Sequence, residues 1–175
     1  NLTHHNYYQD TEYVSNSMLS NLTGKSPEYF RFALDNPQLS TPAMKFGSAI
    51  HMNVLQPEEF NKYYAVSPKF DKRTKQGKAD YAEFVKNNTF KTVISEQDFE
   101  LIEQMTAKLM RDQDAKLMLT NGLKEHIIAW ENEEHGVKCR GMLDVYKPSC
   151  QIIVDLKTTQ DSSYYGFASS VRKFK

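Results

Sequence analysis

Gly141-Met142-Leu143-Asp144-Val145-Tyr146, followed after a short turn by Ile152-Ile153-Val154-Asp155-Leu156-Lys157, is the stretch from which the fold is read. Strand periodicity splits the first run. Val137, Cys139, Gly141, Leu143 and Val145 fall on one apolar face, and Lys138, Arg140, Met142, Asp144 and Tyr146 on the other. In the second run Ile152, Val154 and Leu156 point one way, and Gln151, Ile153, Asp155 and Lys157 the other. Lys147-Pro148-Ser149-Cys150 lets the chain reverse, so antiparallel pairing is expected to carry Asp144 beside Asp155 and Lys157.

Two carboxylates and an ammonium at one sheet edge suit a hard divalent cation, with positions left for water and phosphate. The lysine can orient an attacking water or stabilise charge on phosphoryl oxygens. An exposed Asp155–Lys157 ion pair is the plain alternative, and spacing alone does not choose between them, because D-x-K is a short and frequent triplet. Glu125, near the start of the preceding strand, offers a third carboxylate to the same edge.

The 175 residues, 39% hydrophobic and 25% charged, match one soluble domain with a sizeable core. No apolar run reaches the roughly 18 residues of a membrane span, and no signal peptide is visible, so a cytoplasmic protein is expected. Two cysteines, Cys139 and Cys150, are too few for a disulfide framework or a zinc set. The zero net charge argues against indiscriminate polyanion binding but hides a pattern. Lys69, Lys72, Arg73, Lys75 and Lys78 crowd one segment against Asp71 alone, and Arg172, Lys173 and Lys175 make the tail basic. A nucleic-acid face and a solvated loop account for the first cluster equally well.

Along the chain, the aromatic stretch to Tyr13 shows no period and is expected to lie over the surface. Ser15 or Ser17 caps a first helix through Met18 and Leu19, and Ser26-Pro27 opens a second that ends at Asp35-Asn36-Pro37. A third runs from near Ala43 with Phe46, Ile50 and Val54 as its apolar stripe, and Gln56-Pro57 stops it. His51 stands beside that stripe, where a lone histidine is more often a surface or satisfied core residue than a ligand. Gly47, one turn earlier, permits close approach of a neighbour. Phe60–Val66 reads as a short strand. Helices follow through Tyr81–Val85 and, from a Ser95 cap, through Phe99, Ile102 and Leu109, with Ala115–Leu119 prolonging or repeating the latter. Lys124–Trp130 reads as a strand, Glu131–Gly136 as a hairpin loop, and Asp161-Ser162-Ser163 as the cap of a last helix. No Gly-rich phosphate loop is present.

Four blocks in order, Phe46–His51 with Gln56–Phe60, Lys72–Lys78, Glu125 with Trp130, and Gly141–Asp144 with Val154–Thr159, resemble the PD-(D/E)XK nucleases, and within them the RecE type, exodeoxyribonuclease VIII. The resemblance runs from Ser15 to the end of the chain. It implies an α/β (α+β) restriction-endonuclease-like core, a mixed central sheet flanked by helices, as one domain over residues 1–175. It implies Mg²⁺ or Mn²⁺ held by His51, Asp144, Asp155 and the backbone carbonyl of Leu156, with Lys157 as the catalytic lysine. Glu125 would be an acidic position beside them, Lys72, Arg73 and Lys75 would lie near the DNA backbone, and Thr158 and Thr159 would flank the site. The implied activity is ATP-independent exonucleolysis of double-stranded DNA, 5′ to 3′, leaving 3′ tails for a RecT-like annealing protein, by a ring-forming homo-oligomer in phage or prophage recombination. An endonuclease on the same core and a non-catalytic DNA-binding or assembly module are the alternatives. Related nucleases carry a further helix with a Gln-x-x-x-Tyr-like element, so the domain is expected to be incomplete at its C-terminus.

Overall fold

The computed structural model describes residues 2–3 and 6–173, the last by its backbone alone, so His4, His5 and Lys175 lie outside the described residues. In chain order the elements are α1 (Asn16–Leu19), α2 (Pro27–Asp35), α3 (Pro42–Leu55), a 3-10 turn at Pro57–Glu59, α4 (Phe60–Tyr63), β1 (Tyr64–Ser67), α5 (Lys75–Asn87), β2 (Thr92–Ser95), α6 (Glu96–Arg111), α7 (Gln113–Leu119), β3 (Leu123–Asn132), β4 (Val137–Lys147), β5 (Ile152–Val154) and α8 (Tyr164–Lys173). This is a mixed α/β domain in which β1 pairs with β2 in parallel while β3, β4 and β5 form an antiparallel sheet in that order. The parallel and antiparallel pairings thus belong to two separate ladders.

Helix starts follow side-chain capping. Ser15, Ser26, Thr41, Thr74, Ser95 and Asp112 each accept a hydrogen bond from an amide in the first turn that would otherwise lack a partner. The core gathers on α3, whose Ala49, Ile50, Val54 and Leu55 pack with Phe60, Tyr64, Ile94, Ile102, Leu119 and Val145. Each such aliphatic side chain contributes about 1.5–3 kcal/mol of burial free energy. Asn53 Nδ2 donates to Thr106 Oγ1 at 3.0 Å and ties α3 to α6. Among the described residues no helix is long and apolar enough to cross a membrane.

Four segments depart from the sequence reading. Helical structure continues past Gln56-Pro57, because a proline at the first position of a turn gives up no needed N–H. Phe60–Tyr63 is consequently helical, and the strand expected over 60–66 shrinks to Tyr64–Ser67. Thr92–Ser95 is a strand that the reading did not contain, a β-branched run too short to show a period. The ladder of β5 ends at Val154, although inward and outward burial keeps alternating to Lys157. The N-terminal stretch does more than cover the surface: Tyr7 is buried, and Val14 docks in parallel on Cys139, at the edge of β4 that β5 is too short to cover.

Candidate metal centre

The position of Asp144 follows from its neighbour. Val145 is wholly buried in the core, so the alternation of β4 turns Asp144 to the opposite face. On α3 the same logic acts through helical spacing: Ile50 is buried, and His51 emerges one step around the helix, half-buried. Gly47 leaves room one turn earlier, since a Cβ there would stand 3.2 Å from Thr158 Oγ1. The third side chain comes from β3. Lys124 pairs with Val145 and His126 with Leu143, which puts Glu125 across from Asp144. Glu125 itself is left out of the ladder because its φ is 51°, in the left-handed region.

His51, Glu125 and Asp144 each offer a ligand atom, and the three atoms lie within 4.8 Å of one another. His51 Nδ1 is 3.7 Å from Asp144 Oδ2, and the same oxygen accepts the Leu156 N–H at 2.6 Å. That contact ties the segment just beyond β5 to the Asp144 carboxylate. Burial raises the pKa of Glu125, and the charge of Asp144 raises it further while His51 opposes both. Two carboxylates and an imidazole nitrogen, partly buried and with like charges pressed together, fit a divalent cation in donor type and in the charge they need neutralised.

The remaining site candidates are distributed as follows. Asp155 is not among the three: its Oδ1 accepts from Lys157 Nζ at 2.7 Å, in a pair whose side chains are 59% and 75% exposed. The plain ion-pair reading therefore describes these two residues in this state. Leu156 presents its N–H to Asp144. Thr158 lines the cleft described below, and Thr159 Oγ1 donates to Asp161 O at 3.1 Å. Lys72 sits over the Tyr81 ring at 3.4 Å, Arg73 pairs with Asp71 at 3.0 Å, and Lys75 is an exposed residue in the first turn of α5. These three are exposed, on the turn before α5 and at its first residue, and are not among the residues lining the cleft.

The trio opens into a cleft of about 1810 Å³ whose lining includes Tyr7, Tyr8, Met18, Arg140 and Met142 as well as the trio itself. The N-terminal aromatics and Arg140 were not singled out in sequence. Their one signal is the placement of Arg140 on the same strand face as Asp144.

A family model described as a PDDEXK-like domain of unknown function (DUF3799) matches residues 15–175. A comparison with curated proteins finds no match.

Proposed function

The chain belongs to the PDDEXK-like domain family, and on that premise we propose that it is a divalent-metal-dependent exodeoxyribonuclease of the RecE type, hydrolysing double-stranded DNA from its ends. The observation that carries the proposal is the convergence of His51, Glu125 and Asp144 from a helix and two strands in an open cleft. A bound cation supplies charge neutralisation and a water of lowered pKa. The imidazole nitrogen of His51 suits Mn²⁺ better than Mg²⁺.

The chain's own groups have the following roles in this reading. Asp144, held by the Leu156 amide, presents its carboxylate with fixed orientation, and His51 and Glu125 complete the donor set. Asp155 and Lys157 are the chain neighbours of Leu156, whose amide bonds Asp144. Asp155 and the Leu156 carbonyl would add oxygen donors for the cation, and the Lys157 ammonium would orient the attacking water. The turn carrying Lys72, Arg73 and Lys75 meets the duplex backbone beyond the cleft, while Thr158 and Thr159 border the scissile strand. Action 5′ to 3′ without ATP, a ring-shaped homo-oligomer, a RecT-like annealing partner and a cytoplasmic place of work complete the proposal, which treats the chain as one domain.

Paired digestion of linear and closed circular duplex DNA, with Mg²⁺, Mn²⁺ or chelator, tests it. Metal-dependent loss of the linear form alone is expected. Cutting of the circle makes the protein an endonuclease on the same core. DNA that is bound equally with and without metal and never cut makes it a binding module.

A further inference from the structure

Arg140 is 5% exposed and belongs to β4, four residues before Asp144, yet its side-chain contacts lead to the N-terminal segment. Nη1 donates to the Asp10 carbonyl at 3.0 Å and lies 3.9 Å from Asp10 Oδ1. Nη2 points to Met18 Sδ at 3.5 Å, and the guanidinium carbon stands 4.9 Å from the centre of the Tyr7 ring. The backbone adds Arg140 N–H to Val14 O at 2.8 Å and Val14 N–H to Lys138 O at 2.9 Å. Within residues 7–18 only Tyr7 is buried, so little apolar packing holds this strap. A buried cation bonded at several points is a firm fastening for it. The strap supplies Tyr7, Tyr8, Gln9, Asp10 and Thr11 to the lining of the cleft that contains His51, Glu125 and Asp144.

We propose that Arg140 is a positioning residue whose guanidinium latches residues 7–18 in place as one wall of the cleft. Substrate affinity depends on that wall, and the Arg140 guanidinium, whose hydrogen bonds go to the strap, acts through it. The identity of the substrate rests on the nuclease reading above, whereas the latch does not.

The test uses Arg140→Met, which keeps length and removes the donors. Amide exchange at Val14 is expected to accelerate while the β3–β4 amides at Leu143 and Val145 stay protected. KM for linear duplex DNA is expected to rise on the order of tenfold with kcat little changed. Val14→Pro, which deletes the donor to Lys138 and leaves Arg140 intact, is expected to raise KM in the same way and serves if Arg140→Met does not fold. Cross-linking Val14→Cys to the native Cys139, in a Cys150→Ser background, closes the wall covalently. In the Arg140→Met chain this link is expected to restore KM, and a reducing agent to undo the rescue where the link is a disulfide. Unchanged exchange at Val14 overturns the latch. Faster exchange with KM unchanged, or a cross-link that does not restore KM, overturns the wall's role in binding. If the unmodified chain cuts no DNA, the nuclease reading falls and the wall's substrate role with it, while exchange at Val14 still decides the latch.

Discussion

Glu125 holds a left-handed backbone within a strand, a conformation that costs a residue with a Cβ about 1–3 kcal/mol, and it does so directly across from another carboxylate. Burial first, and the charge of Asp144 second, raise its pKa above the ordinary glutamate value of 4.5. The folded chain therefore binds this proton more tightly than the unfolded chain does. Its contribution to stability is complete below pH 4.5 and is lost as pH rises through the raised value. In the metal-free protein Glu125→Gln is expected to flatten the fall of Tm across that window, as thermal unfolding at a series of pH values will check. A divalent cation needs the ionised carboxylate, so its affinity is expected to change oppositely and rise with pH over the same range. Lys157, 75% exposed, makes the sharpest catalytic test. Lys157→Ala is expected to abolish cleavage and leave circular dichroism nearly unchanged, and an active variant would sink its proposed role. None of the strain at Glu125 is legible in Lys124-Glu125-His126, which contains no turn residue. The partner of Asp155 was legible, since the D-x-K spacing already held the ion pair as one of its two readings.

At the scale of elements, the legible parts are those with local causes. Ser26-Pro27 and Ser95 announce helix starts because a side-chain cap is a three-residue interaction, and both caps are present. The apolar stripe of α3 and the alternation of β4 locate Ile50 and Val145 in the core for the same reason. What was missed depends on partners distant in sequence. Thr92–Ser95 is a strand only because Tyr64–Ser67 lies alongside it. Lys147, read as part of a turn, is buried because its Nζ donates to the Leu117 carbonyl in the last turn of α7, where a cation also complements the helix dipole. Two substitutions test the packing. Ile102→Ala, at a fully buried position of α6, is expected to cost about 2–5 kcal/mol in denaturant unfolding. Gly77→Ala puts a Cβ 2.1 Å from the Asp71 carbonyl oxygen, so the basic turn must move off α5, at a cost of about 1–3 kcal/mol. If that turn meets the duplex, this variant is also expected to bind DNA more weakly, with cleavage chemistry intact.

Across the whole molecule, the candidate site brings together residues 51, 125 and 144: strand pairing already carried Glu125 to the edge of Asp144, whereas periodicity carries no information over the separation to residue 51. Strand alternation alone brought Asp144 toward Asp155, whereas His51 stood out only through the likeness of four ordered blocks to a nuclease family. The fold then supplies what no motif encodes, a cleft closed on one side by an N-terminal strap bonded to a buried arginine. The most direct measurement is calorimetric titration of Mn²⁺ into the unmodified chain and into Asp144→Asn, with thermal unfolding of the same samples. The asparagine can still accept the Leu156 amide, so the fold is expected to persist. The unmodified chain is expected to bind Mn²⁺ and to gain about 2.7 kcal/mol of stability at a hundredfold excess over Kd, with both effects lost in the variant. Equal affinity in the two chains, or no binding by the unmodified one, would contradict a metal centre at His51, Glu125 and Asp144.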